Sequence, residues 1–296
     1  MSAPLLMVLS TLLFATMGVC VKLAATQYST PEMVFWRGLI GAVFIAGLVR
    51  VRGGSLRTAV PAMHFWRCLA GVAALLLWFY AIANMPLATA ITLNYMSSVW
   101  MALFLIGGAI MLGANRVDGR LVATVLVGFA GVALILRPTI AHGQLWPGLM
   151  GLLSGILSAT AYLQITALGR IGEPDYRVVF YFSLGGMAAG AVWMAIAGSG
   201  HHTPRGIALL LAIGVLATTA QILMTRAYSI GHALTNASLN YLGIAFAFIY
   251  GALLFDDPVT WQALAGMLLV VSAGIAASVL RARQAPVDSS YSAADS

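Results

Sequence analysis

Long apolar segments separated by short polar ones repeat along the whole chain. Each spans about 20 residues, which is the length a helix needs to cross a bilayer. The segments are too long for barrel strands and do not alternate between apolar and polar positions. The pattern predicts an all-α integral membrane protein with ten transmembrane helices, at residues 3–25, 31–50, 62–83, 87–111, 119–137, 147–169, 176–197, 205–228, 233–255 and 259–280.

Composition supports a lipid-facing surface. Apolar residues make up 61% of the 296 positions and charged residues only 8%, whereas a soluble domain carries roughly a quarter charged residues. The formal charge of +7 comes from single basic residues between apolar segments. We therefore expect a lipid bilayer and a small-molecule substrate as partners, and no nucleic acid. Cys20 and Cys68 lie in apolar segments and indicate no disulfide framework.

The basic residues also predict orientation, because cytoplasmic loops and helix ends are enriched in Arg and Lys. With the N-terminus inside, the inner ends hold Arg50, Arg52, Arg57, Arg67, Arg116, Arg120, Arg170, Arg177, Arg226, Arg281 and Arg283. The outer ends hold only Lys22, Arg137 and Arg205. This bias favours a multi-pass protein of the cell (plasma or inner) membrane with both termini in the cytoplasm.

An internal repeat relates the two halves of the chain. The pattern Leu-Ser-x-x-Leu-x-Ala-Thr of residues 9–16 recurs at 153–160, and the Leu-Asn-Tyr of 93–95 recurs at 239–241. The two offsets, 144 and 146 residues, nearly agree. Each half then has five helices, and this odd number requires the second half to insert upside down. Inverted repeats of this kind are typical of transporters, with the substrate path at the repeat interface.

The repeat also predicts the domain organisation. Residues 1–140 form the first five-helix repeat and residues 141–283 form the second, inverted one. Residues 284–296 are rich in Ser, Ala and Asp, and we expect them to be a disordered cytoplasmic tail.

The chain resembles the EamA family of the drug/metabolite transporter superfamily over about residues 3–281. The features that carry this resemblance are the five-plus-five arrangement, an arginine in the second span, a short turn before the fourth helix of each half (85–89 and 231–235) and a small-residue final helix in each half (128–131 and 266–274). The Asn-Tyr pair of the fourth span is similar to that of YddG-like amino-acid exporters. The family usually places a proline soon after this position, where this chain has Ser98 and Ile244.

The resemblance implies secondary transport or export by alternating access. The expected substrates are small amphipathic metabolites, most of all aromatic or hydrophobic amino acids. Repeated polar residues point to a central cavity formed by spans one, four, six and nine, and the resemblance adds spans three and eight. The candidate substrate-binding residues are Trp78, Tyr80, Asn94, Tyr95, Ser98, Trp100, Tyr162, Asn240 and Tyr241.

Each of these residues also has a structural interpretation. Asn94 and Asn240 lie mid-span, where a buried amide either faces a polar cavity or bonds between helices. The aromatic residues either stack on a flat substrate or pack the bundle. Arg37 lies roughly 9 Å below its helix start at 1.5 Å per residue. It is assigned a gating or structural role, with a carboxylate contact as the alternative.

Several function classes are disfavoured by what the spans do not contain. All eight Asp and Glu residues and all five His residues lie at span ends, in loops or in the tail, so no mid-membrane proton relay is predicted. No nucleotide-binding loop is present, and nucleotide hydrolysis is not expected. We expect no catalytic residue, metal or cofactor. An intramembrane enzyme, or transport of a nucleoside, drug or vitamin, remains the alternative.

The predicted topology can be tested with a reporter enzyme that is active only outside the cytoplasm. Fused after Arg283, it should be inactive because both termini are cytoplasmic, whereas fused after Ala25 it should be active. Strong activity after Arg283 would contradict the orientation.

Overall fold

A computed structural model describes residues 2–111, 119–141, 143–230, 239, 241–257 and 260–284 of the chain. These residues are almost entirely helical. The helices are α1 (Ala3–Ala24), α2 (Thr30–Val51), α3 (Pro61–Asn84), α4 (Leu87–Tyr95), α5 (Ser97–Met111), α6 (Gly119–Ala141), α7 (Leu145–Arg170), α8 (Asp175–Ala197), α9 (Pro204–Ile230), α10 (Leu242–Leu254) and α11 (Trp261–Gln284).

Six of these helices are long and apolar enough to cross a membrane: α1, α2, α3, α7, α8 and α9. Shorter apolar helical stretches cover Val122–Leu134, Leu242–Leu254 and Trp261–Ala276. An all-α membrane protein is therefore the observed class. The count of ten crossings stays a prediction. The start of the ninth predicted span and the tail from residue 285 lie outside the described residues.

The predicted fourth span differs from expectation because it is divided. α4 ends at Tyr95 and α5 begins at Ser97, with Met96 in a turn between them. Met96 N still donates to Thr92 O at 3.2 Å, and Trp100 N donates to Met96 O at 3.0 Å. The backbone stays hydrogen-bonded through the break, as it must in a bilayer. The break lies directly after Asn94 and Tyr95.

The helices pack in pairs that join the first and second halves of the chain. α1 packs against α9, α3 against α7, α2 against α8, and α6 against α11, while α4 contacts both α7 and α10. Many large apolar side chains face outward, among them Phe44, Val192, Ile196 and Leu268. Such exposure is costly in water and neutral in lipid.

Glycines allow the closest of these crossings. A Cβ on Gly155 of α7 would lie 2.7 Å from Leu93 O, and a Cβ on Gly190 of α8 would lie 2.6 Å from Phe35 Cβ. On α2, a Cβ on Gly38 would lie 2.5 Å from Ser183 O and would also meet Met187 N. Small residues are enriched at such interfaces because dispersion contacts, rather than the hydrophobic effect, hold membrane helices together.

We expect Gly38→Ala to destabilise the protein, because the added methyl meets the α8 backbone, which cannot move aside. Overpacking of this kind costs about 1–3 kcal/mol. Gly47→Ala is the matched control, since Gly47 lies on the same helix and its Cβ would meet nothing within 4 Å. Thermal unfolding of the purified variants measures the difference. Equal melting temperatures would contradict the assigned α2–α8 contact.

Candidate functional site

A cavity lies in the middle of the bundle, where α1, α2, α3, α4, α7, α8 and α9 converge. Its volume, measured as the space open to the centre of a water molecule, is about 70 Å³. That is room for several waters at roughly 10–15 Å³ each. Its aromatic lining consists of Phe14, Trp78, Tyr95, Tyr162 and Phe182. Its polar lining consists of Arg37, Arg67, Asn94, Ser158 and Gln221.

The structure brings together five of the residues singled out from the sequence. Arg37, Trp78, Asn94, Tyr95 and Tyr162 all line the cavity. They come from four helices, α2, α3, α4 and α7, so their proximity depends on packing rather than on chain distance.

Other predicted residues lie elsewhere. Tyr80 is on another face of α3, where its backbone carbonyl accepts a hydrogen bond from Asn84 Nδ2 at 2.8 Å. Trp100 packs edge-on against Phe129, with ring centroids 4.9 Å apart. Tyr241 contacts its repeat partner Tyr95 edge-on at 6.5 Å and does not line the cavity. Asn240 and the side chain of Ser98 lie outside the described residues.

The predicted set of cavity helices is only partly correct. α1, α3, α4, α7 and α9 line the cavity as expected, and α6 and α11 contribute none of its lining. α2 and α8 also line it, which was not predicted, and α10 contributes no described lining residue. The reason is that α2 and α8 cross closely at Gly38, next to Arg37 on α2, and Phe182 precedes the α8 residue that Gly38 meets.

Asn94 satisfies both interpretations of its role. Its Nδ2 donates to Ser154 Oγ at 3.0 Å and to Ser158 Oγ at 3.1 Å, which joins α4 to α7. Its side chain nevertheless borders the cavity, as does Ser158. The amide therefore holds two helices together at the cavity wall.

Two buried arginines give the cavity a positive charge. Arg37 is 5% exposed and Arg67 is 3% exposed. Both guanidinium carbons lie over the ring of Phe182, at 5.0 Å and 4.3 Å from its centroid. Among the described residues, Arg37 Nε, Arg67 Nε and Arg67 Nη1 have no hydrogen-bond partner. Burying an ion costs several kcal/mol, and a cation–π contact stabilises it by about 2 kcal/mol. The Phe182 ring therefore offsets only part of the cost.

The sequence did not indicate Arg67 as a cavity residue, because its position places it with the basic residues of the inner helix ends. One signal was available, since Arg67 lies six residues after Pro61 just as Arg37 lies six residues after Pro31. Both prolines begin a helix, and both arginines are therefore about two turns inside it. Phe182 and Gln221 had no comparable signal, because nothing in their own helices marks the face that turns inward.

The carboxylate of Glu173 links the two halves at one end of the bundle. His64 Nε2 lies 3.1 Å from Glu173 Oε1, and Arg177 Nη1 lies 3.5 Å from Glu173 Oε2. Burial raises the pKa of Glu173, but hydrogen bonds with His64 and Thr58 and the charge of Arg177 outweigh it, so the pKa lies below its usual value. Gly172 precedes this carboxylate with a φ of 78°, a turn that favours glycine. The topology prediction places this end inside.

A second set of polar contacts joins the halves at the other end. Lys22 Nζ lies 2.7 Å from Asp257 Oδ1, and Asp257 Oδ2 accepts from Leu87 N at 2.8 Å. Glu32, which is 1% exposed, accepts from Gly200 N at 3.1 Å. The acidic residues described thus lie at the ends of the bundle, as the sequence indicated. Within the described part of the chain, no three His, Cys, Asp or Glu side chains form a metal-binding cluster.

Comparisons with known proteins agree with this architecture. The EamA-like transporter family model matches residues 1–137. The pseudopaline exporter CntI of Pseudomonas aeruginosa (strain UCBPP-PA14) is 34% identical over 281 residues, 94% of this chain and 96% of that protein. A riboflavin transporter of Rhizobium johnstonii is 27% identical over 279 residues, 91% of this chain and 88% of that protein.

More distant relatives share the fold. Human solute carrier family 35 member G1 is 26% identical over 226 residues, 72% of this chain and 61% of that protein. A solved crystal structure aligns with 95% of this chain and 98% of its own, at a TM-score of 0.64 and 19% identity. This last likeness is one of fold alone.

We expect Asn94→Leu to lower both stability and transport, because the amide bonds α4 to α7 and borders the cavity. Two lost interhelical bonds at roughly 0.6 kcal/mol each amount to about 1 kcal/mol. Thr92→Val is the control, since the hydroxyl of buried Thr92 donates to Ala88 O of its own helix. Melting temperature and transport per folded molecule are measured together. Normal transport in Asn94→Leu would remove Asn94 from the substrate site.

Proposed function

The chain belongs to the EamA-like transporter family of the drug/metabolite transporter superfamily, and from that premise we propose that it exports small amphipathic metabolites, foremost aromatic or hydrophobic amino acids. As a member of this family it is a membrane transporter of small molecules rather than an enzyme. The single observation that carries the finer proposal is the central cavity, in which aromatic walls adjoin polar groups.

The character of the lining supports an amphipathic substrate. The rings of Phe14, Trp78 and Tyr162 offer flat apolar surface, and Asn94 and Gln221 offer hydrogen bonds on the same cavity. Small-molecule sites are commonly mostly apolar with a few placed polar groups. An aromatic amino acid matches this lining, because its ring is apolar and its backbone groups are polar.

We also propose that residues 1–140 and 141–283 are the two inverted repeats of a ten-helix transporter. The packing pairs support this arrangement. If each helix of one half is exchanged for its counterpart in the other, the α1–α9 contact becomes the α7–α3 contact. The α2–α8 and α6–α11 contacts map onto themselves. A pseudo-two-fold axis through the cavity has this effect.

Alternating access at the repeat interface is the proposed mechanism. Opening one end of the bundle requires the polar contacts that join the halves there to separate, either Lys22 with Asp257 or His64 with Glu173. Both pairs are largely buried, with side chains 16% and 16% exposed in the first and 3% and 8% exposed in the second. Their separation requires water to reach the freed groups, which happens when that end of the bundle opens. The cavity of about 70 Å³ is too small for a large metabolite and must widen for one to enter.

Two relatives support an alternative substrate class. One is named a pseudopaline exporter and another a riboflavin transporter. Transport of a vitamin, nucleoside or drug by the same cavity is the second candidate function, because the lining that suits an amino-acid ring also suits a larger flat ring.

The test is uptake into liposomes containing the purified full chain, over a panel of labelled amino acids, nucleosides, riboflavin and drugs. We expect aromatic amino acids to equilibrate faster than in protein-free liposomes. Equilibration of riboflavin or nucleosides alone would favour the alternative. No accelerated compound at all would overturn the proposed function.

Trp78→Phe tests the site itself, because it keeps an aromatic ring and removes the indole N–H, which has no hydrogen-bond partner in the structure. We expect a several-fold rise in the half-saturating substrate concentration with an unchanged melting temperature. Trp66→Phe is the control, since Trp66 is 57% exposed on the same helix. Equal transport by both variants would exclude Trp78 from the substrate site.

A further inference from the structure

The buried arginines of the cavity have no anion to compensate them within the described chain. The lining contains Arg37 and Arg67 but no Asp or Glu. The ion pairs found among described residues involve neither arginine. An intramembrane charge without a partner faces the bundle interior and marks a substrate or ion path.

The two positive charges are also close to each other. Both guanidinium carbons lie over one ring, Phe182, so they are separated by no more than the sum of their distances to its centroid. Like charges at such a range repel more strongly in a buried site than in water. Both groups nonetheless line the same cavity. Their donor atoms Arg37 Nε, Arg67 Nε and Arg67 Nη1 have no hydrogen-bond partner among the described residues.

We propose that Arg37 and Arg67 form one binding site for the carboxylates of an organic anion, and that this site makes dianionic substrates the preferred ones. The inference rests on the proposed transport function and refines its substrate class: an aromatic compound with one carboxylate, such as an amino acid, is accepted, and one with two carboxylates is preferred. The planar guanidinium presents N–H groups in a fork that matches a carboxylate. A monoanion compensates one arginine or bridges both, whereas a dianion compensates each charge separately.

The remaining lining defines the rest of the ligand. Phe14, Trp78 and Tyr162 surround the cavity beside the arginines and accept an apolar or aromatic body. Asn94 and Gln221 supply neutral hydrogen-bonding groups. The described lining contains no carboxylate that could pair with a cationic group of the ligand. A cationic amine that lacks a carboxylate should therefore be rejected.

Binding by the purified full chain tests the site with three probes of one shape. Phenylsuccinate carries two carboxylates, 3-phenylpropionate carries one, and 3-phenylpropionamide carries none. Each is added at equal concentration and ionic strength, with sodium chloride and sodium phosphate as inorganic controls. A ligand that binds only the folded state raises the melting temperature with its affinity. We expect the largest rise for phenylsuccinate, a smaller one for 3-phenylpropionate, and none for the amide.

The variants Arg37→Gln and Arg67→Gln test whether these two arginines bind the probes. Losing a charge-assisted contact should weaken binding of phenylsuccinate by roughly ten- to a hundred-fold. Arg50→Gln is the control, because Arg50 is exposed at the end of α2 and should bind as the unmodified chain does. The ligand-free variants should melt no lower than the parent, since an uncompensated buried charge has been removed. A purely structural role predicts lower melting with an unchanged ligand order.

Three results would each overturn the anion site. The first is an equal shift in melting temperature for the three phenyl probes, and the second is a shift from phosphate or chloride alone. The third is equal binding by Arg67→Gln and Arg50→Gln. If a variant does not fold, the order of the melting-temperature rises that the three probes cause in the unmodified chain still tests the anion site. Liposome uptake of the same probes separates the two proposals. Binding in the expected order without transport overturns the function, and transport of the amide at the rate of the dianion overturns the site.

Discussion

Lipid offers no hydrogen bond, so every polar group in the membrane-spanning part must find its partner inside the protein or at a watery cavity. The described helices follow this constraint closely. Thr16 donates to Leu12 O within its own helix, and Ser10 donates to Ala220 O on α9. Asn94 bonds to two serines of α7. Arg37 and Arg67, whose Nε atoms have no hydrogen-bond partner among the described residues, instead line the central cavity.

The same constraint explains how the bundle is assembled. Because lipid does not drive apolar surfaces together, helices associate where their backbones approach closely and dispersion contacts accumulate. Gly38, Gly155 and Gly190 supply three such approaches. The crossing at Gly38 has a functional consequence, since it draws α2 against α8 and so sets Arg37 beside Phe182. The Gly38 contact thus contributes both to the stability of the bundle and to the position of the charged wall.

Membership of the EamA-like family accounts for transport, while the cavity distinguishes one substrate from another. Relatives at 34% and 27% identity bear the names of transporters with different cargo. A fold shared by carriers of different compounds leaves selectivity to the few side chains on the cavity wall. In this chain those side chains combine aromatic rings with two guanidinium groups that form no ion pair among the described residues. The charge of the wall is therefore the feature from which substrate class is best argued.

Apolar length alone determined the membrane class and most helix bounds, because the cost of exposing backbone in lipid depends on segment length and hardly on neighbours. Residues with chemistry unusual for a span, such as Arg37, Trp78 and Asn94, also stood out directly. The inward faces did not. Helices surrounded by lipid are apolar on both their outer and inner sides, so periodicity does not reveal which side turns inward.

Tertiary packing decided the rest. It left Tyr80 and Trp100 away from the cavity, divided the fourth span at Met96, and buried Arg67 beside Arg37 although 30 residues separate them in the chain. The positions of Tyr80, Trp100 and Arg67 depend on the rotation of one helix against another, which close contacts such as those at Gly38 and Gly155 set. Segment length and composition carry no information on that rotation, and only the assembled bundle supplies it.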